Sequence, residues 1–132
     1  MSRSLIQTTN QTSQTVASGS IVSLGSVLRR YGCNCRLSGN AIEIDGEGYY
    51  KIDTCVSVTP TAVGTVNVVV YENGVPIQGA IGYGSVATAG DTVTIPISTT
   101  VRQKCCDSAS SLTLVLTGAS VVNNVSLRVE KS

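Results

Sequence analysis

At 132 residues, with a formal net charge of +1, 13% charged side chains and no histidine, the chain fits one domain. It carries neither the basic footprint of a nucleic-acid binder nor the commonest catalytic base and metal ligand. No apolar run approaches the ~20 residues of a membrane span, and the N-terminus is polar rather than a charged-then-apolar leader, so a soluble chain made in a cytoplasm is expected.

Residues 1–20 are rich in Ser, Thr, Gln and Asn and hold few apolar anchors, a composition expected of an extended arm lying against another subunit or a larger assembly. From Ile21 to Gly32 the chain is apolar and broken by glycine, which predicts a short strand and a turn. Cys33 to Leu37 alternates, Ser38-Gly39-Asn40 turns, and Ala41 to Gly46 forms the second limb of a hairpin.

The strongest signal is Gly48 to Pro60. Tyr50, Ile52, Thr54, Val56 and Val58 fall on one side and Tyr49, Lys51, Asp53, Cys55, Ser57 and Thr59 on the other. Period two over ~10 residues marks a long strand with one face buried, and proline, which cannot donate to a ladder, closes it. Thr65 to Tyr71 and Val75 to Ala80 flank Asn73-Gly74, the strongest short-range hairpin signal, with Pro76 placing the return strand on an edge or at a bulge. Ile81 to Ser85 reads as a glycine turn. Asp91 to Val101, Ser111 to Gly118 and Asn123 to Glu130 complete the strands, with Arg102 to Ser110 as a polar loop. Seven to nine short strands and no helix predict an all-β, antiparallel β-sandwich spanning residues 21–132, preceded by the arm 1–20. The 19 valines, with 17 Ser and 15 Thr, agree with this: β-branched side chains suit pleated sheets, and a neutral polar surface suits a subunit that buries its flanks against copies of itself or coats a particle.

The residues that could carry chemistry are few. Without histidine there is no Ser-His or Cys-His nucleophile pair, so no catalytic site is expected and the chain is read as a non-enzyme. Glu43, Asp45, Glu47 and Asp53 lie close in sequence, but a solvated rim is favoured over a paired-carboxylate site. The cysteines are Cys33, Cys35, Cys55, Cys105 and Cys106. A one-residue gap and an adjacent pair lack the spacing of zinc ligands, and cytoplasmic synthesis favours thiols. Reduced structural cysteines are expected ahead of a disulfide, and a metal last. No cofactor is expected. Asn10-Gln11-Thr12 and Asn124-Val125-Ser126 match the glycosylation pattern but carry no weight without a secretion signal.

The order of motifs resembles a known family. The Gly-Tyr-Tyr strand at Gly48 to Tyr50, the later Asn-Gly hairpin and the Leu-rich C-terminal strand resemble the trimeric TNF/C1q-like jelly roll. Arg29-Arg30-Tyr31-Gly32-Cys33 and the Cys105-Cys106 loop before Ser111 to Gly118 are similar to small proteins encoded in phages and prophages of Firmicutes. The likeness spans roughly residues 20–132 and brings no catalytic residues with it. It implies a virion structural protein: a homotrimer decorating the capsid or forming a head fibre, docked through its N-terminal arm onto the major capsid protein or another virion protein. The alternative it leaves open is a receptor- or glycan-binding knob of a tail fibre or spore-surface filament. Sparse aromatics and the absence of Trp favour the first.

Overall fold

The structure is a computed structural model describing residues 4–88, 90–104 and 109–131. Twelve strands run in chain order: β1 (Ser4–Asn10), β2 (Gln14–Val16), β3 (Ser20–Ile21), β4 (Ser26–Tyr31), β5 (Cys35–Ser38), β6 (Ala41–Ile44), β7 (Gly48–Pro60), β8 (Gly64–Glu72), β9 (Val75–Val86), β10 (Val93–Gln103), β11 (Ser110–Thr117) and β12 (Ser120–Lys131). They form two antiparallel sheets. Sheet A has the order β10-β7-β12-β1-β4 with β2 beside β12, and sheet B the order β5-β6-β11-β8-β9 with β3 beside β11. No described residue is helical.

Alternation builds the core. In β7 the inward side chains Tyr50, Ile52, Val56 and Val58 are fully buried and Thr54 nearly so. They meet Val66, Val68 and Val70 of β8 and Leu112, Leu114 and Leu116 of β11 in one apolar cluster. The Thr54 hydroxyl sits among them by donating to the Ser126 carbonyl at 2.9 Å, which offsets the cost of burying it. Sheet A is centred on β7 and β12, and sheet B on β11 and β8.

The long strand has the bounds read from its sequence, Gly48 to Pro60. The Asn-Gly hairpin is also present: Asn73 and Gly74 both have positive φ, 53° and 81°, as a tight two-residue hairpin loop requires, and Glu72 pairs with Val75. Pro76 and Pro96 lie on β9 and β10, the edge strands of their sheets.

Two expectations are corrected. Residues 4–16 do not form an arm outside the domain. β1 pairs with β12 on one side and β4 on the other, and β2 continues along β12 at Ser120 to Val122. Ile6 and Val16 belong to the core, while Ser4 and Thr8 are fully buried. The sandwich therefore starts well before residue 20. The segment from Ile81 to Ser85 is likewise strand, not turn: β9 runs to Val86. Its glycines serve a close approach between sheet edges. A Cβ on Gly82 would lie 2.4 Å from Ile95 Cγ2, and one on Gly84 2.9 Å from Val93 Cγ2, so β9 of one sheet leans directly on β10 of the other.

Candidate interaction surface

The outward face of sheet A is a polar array ordered by strand register. One row reads Thr100, Lys51, Glu130, Leu5 and Tyr31, and the next reads Ser98, Asp53, Arg128, Gln7 and Arg29. In the second row Arg128 Nη2 donates to Asp53 Oδ2 at 2.6 Å and the Ser98 hydroxyl to Asp53 Oδ1 at 2.8 Å. These hydrogen bonds, Arg128 first, hold the Asp53 carboxyl below its ordinary range. A shallow depression of about 260 Å³ lies here, lined by Gln7, Asp53, Thr54, Cys55, Ser126 and Arg128. Beyond it the face turns neutral. Ser57 and Thr94 share a hydroxyl hydrogen bond of 3.1 Å, and Thr59 and Thr92 one of 2.9 Å. The array offers hydroxyls and one neutralised ion pair around this depression.

The two ends of the sandwich differ. Where Ser4 pairs with Lys131, the connection between β6 and β7 carries exposed Asp45 and Glu47, and Lys51, Arg102 and Lys104 are exposed nearby. Arg102 stands over the Tyr49 ring at 5.8 Å. Beneath, a polar network fastens this end. The Ser4 hydroxyl donates to Asn34 Oδ1 at 2.7 Å, Asn34 Nδ2 donates to the Asp45 carbonyl at 2.6 Å, and the Tyr50 hydroxyl lies 2.8 Å from the carbonyls of Asp45 and Gly46. Burial pushes the Tyr50 phenol up to about 12 and the Cys35 thiol up to about 11, so both are neutral near pH 7. The opposite end is made of loops at 17–19, 61–63, 87–88, 90–92 and 118–119, tied together by Thr61 N–H to the Ala119 carbonyl and Gly118 N–H to the Ser18 hydroxyl. Asp91 is the one charged side chain described in those loops.

The four clustered acids are dispersed. Glu43 pairs with Arg36 on sheet B, Asp53 pairs with Arg128 on sheet A, and Asp45 and Glu47 stay exposed in their connection. Cys33 and Cys35 do not share a face: Cys33 is exposed in a bend, Cys35 is buried at the start of β5, and Cys55 is half-buried, all three as free thiols. Cys105 and Cys106 lie outside the described residues. Among the described residues no group of three or more Cys, Asp or Glu is placed to hold a metal. The face of sheet A was not foreseen as a surface; its strand alternation pointed to it, but which strands adjoin β7 did not show in the sequence.

No family model matches the sequence, and no curated protein matches it. Solved structures do share its architecture. Murine APRIL at pH 8.5 superposes with a TM-score of 0.76 at 12% identity, covering 99% of this chain and 100% of that one. The globular domain of zebrafish complement 1qA gives 0.72 at 5% identity, covering 96% and 94%. PRD1 vertex protein P5 gives 0.67 at 14% identity, covering 98% of this chain and 72% of that one. At these identities the likeness concerns the fold, and the fold is an all-β, TNF/C1q-like jelly roll.

Proposed function

We propose that this chain is a non-enzymatic structural protein of a phage virion, assembling as a homotrimer that decorates the capsid or forms a head fibre. The observation that carries the reading is the outward face of sheet A. Its Asp53–Arg128 ion pair is internally neutralised, and its far half is lined by Thr94, Pro96, Cys55, Ser57 and Ser126 without an unpaired charge. That neutral half enters a symmetric interface with little desolvation cost. The TNF/C1q-like resemblance implies three copies, and a vertex protein stands among the structural neighbours. Because residues 4–16 are built into sheet A, docking through a free arm gives way in this reading to docking through the charged end, where Ser4 and Lys131 meet. The partner there is the major capsid protein or another virion protein.

Light scattering at micromolar concentration tests the assembly, with three chains expected and a stable monomer overturning it. Ser57→Arg sets a guanidinium in the neutral half of the face and is expected to dissociate the trimer while the monomer stays folded. Mass spectrometry and antibody labelling of purified virions test the location. Absence of the chain from particles overturns the virion reading.

A further inference from the structure

We propose that residues 14–24 form a strap that opens and closes as one unit over the uncovered edges of β11 and β12, and that the side-chain amide of Gln14 holds it shut. The neighbouring strands are too short to cover those edges. β1 pairs with β12 only from Val125 to Lys131, and β6 pairs with β11 only from Ser110 to Leu112, so the remainder of each long strand is left over on that side. The strap fills both gaps in turn. β2 lies against Ser120 to Val122 of sheet A, the chain crosses to sheet B, where β3 lies against Val115 and Leu116, and it returns to sheet A at β4. On the way the Gly19 N–H donates to the Leu116 carbonyl at 2.7 Å and the Val22 N–H to the Leu114 carbonyl at 2.8 Å. Val16, Val22 and Leu24 enter the core.

What fastens the strap to itself is a side chain. Ser23 lies between β3 and β4 and belongs to neither. The Gln14 amide takes the place of a facing strand: Oε1 accepts from the Ser23 N–H at 3.0 Å and Nε2 donates to the Ser23 carbonyl at 3.1 Å, the pair of bonds that a residue across a ladder would make. Asn10 Nδ2 donates to the same carbonyl at 3.2 Å. Ser23 is half-buried, so removing Gln14 strips its N–H of an acceptor where water replaces it poorly. The rest of the strap is lightly held. β2 has three residues and β3 two, and residues 17–21 are exposed. Short ladders and exposed backbone place a segment at the low end of local stability, whereas β7 and β8 are flanked by paired strands on both sides. An open strap bares the carbonyls of Leu114 and Leu116 and the edge of Ser120 to Val122, and a bare edge is a template for a strand of another chain. The strap is thus a guard on two edges, and Gln14 is its latch.

Native-state amide exchange of the full chain, followed residue by residue by NMR in increasing subdenaturing guanidinium, tests it. The Gly19 and Val22 amides are expected to exchange together, with little dependence on denaturant, and well before those of Val56 and Val68. Gln14→Ala is expected to lower the protection of both about tenfold, the worth of one to two ordinary hydrogen bonds, while Val56 and Val68 keep theirs. Gln14→Met keeps the length of the side chain and loses the amide, and is expected to do the same. Wild-type protection in Gln14→Met would make packing the fastener and overturn the role of the amide. Exchange of Gly19 and Val22 only in step with Val56 and Val68 overturns the strap as a unit, as does acceleration of one without the other. Size-exclusion chromatography after prolonged standing checks the guard: Gln14→Ala is expected to pass into larger species about tenfold faster than wild type, in proportion to its opening. Equal rates overturn the guarding role.

Discussion

β7 and β8 are central strands of opposite sheets with the same inward habit and different outward ones. Inside, Tyr50, Ile52, Val56 and Val58 face Val66, Val68 and Val70 in one core. Outside, β7 presents Lys51, Asp53, Cys55, Ser57 and Thr59, while β8 presents Thr65, Asn67, Val69 and Tyr71. Alternation dictates which side is out and says nothing of what the outside is for. The outward residues lie outside the core, so core packing does not dictate their chemistry.

The comparison breaks first if the inner faces are not equivalent. Val56→Asp and Val68→Asp each bury an unpaired carboxylate at a position now fully covered, and each is expected to abolish folding at a cost of roughly 3 kcal/mol or more. Ser57→Asp and Val69→Asp, one residue along, are expected to leave the circular dichroism spectrum intact. A folded Val56→Asp protein would mean that β7 is not at the centre of the core.

Ile6 sharpens the picture of sheet A. Ile6→Ala is expected to lower stability by about 2 to 4 kcal/mol in chemical denaturation, as for any core residue; an unchanged midpoint would return β1 to the status of an appendage.

At the charged end the core contains groups that titrate. Tyr50 ionises at an ordinary value of 10.0 once unfolded but at about 12 when folded, and Cys35 moves from 9.0 to about 11. A raised folded pKa means that the native state holds its proton longer, so the stability it contributes is complete below the unfolded value and lost as pH climbs through the folded one. Melting temperature is expected to fall from about pH 9 to pH 12, and Tyr50→Phe to remove the phenol's share of that slope. A flat profile would place Tyr50 in water.

The smallest effect belongs to the Asp53 and Arg128 pair, both half exposed. Asp53→Asn is expected to cost no more than about 0.5 kcal/mol at neutral pH. With its carboxyl held below the ordinary 3.8, the contribution is present above that value and fades as pH falls through the folded pKa. Differential scanning calorimetry at pH 7 and pH 3 checks both statements.

Much of the sandwich was legible because its strands alternate strictly. β7 has the bounds its pattern implied, and Asn73-Gly74 turns the chain where a paired positive-φ dipeptide must. The N-terminal strand was not legible because its inward positions are Ser4, Ile6 and Thr8. Two hydroxyls in the core look like solvent-facing residues until Asn34 is seen to receive the Ser4 hydrogen bond. The second half of β9 was hidden by Gly82 and Gly84, which usually signal a turn but here clear space for β10.

The antiparallel junction of Ser4 with Lys131 has a mechanical side. Tension applied between these two residues acts across the strands rather than along them, so the ladder between β1 and β12 is loaded one rung at a time and opens like a zipper. This ladder is thus weaker against a pull at that end than against shear along its strands. A chain held at the charged end through a single attachment never meets the weak direction, whereas one strung between two tethers would peel open from Ser4 onward.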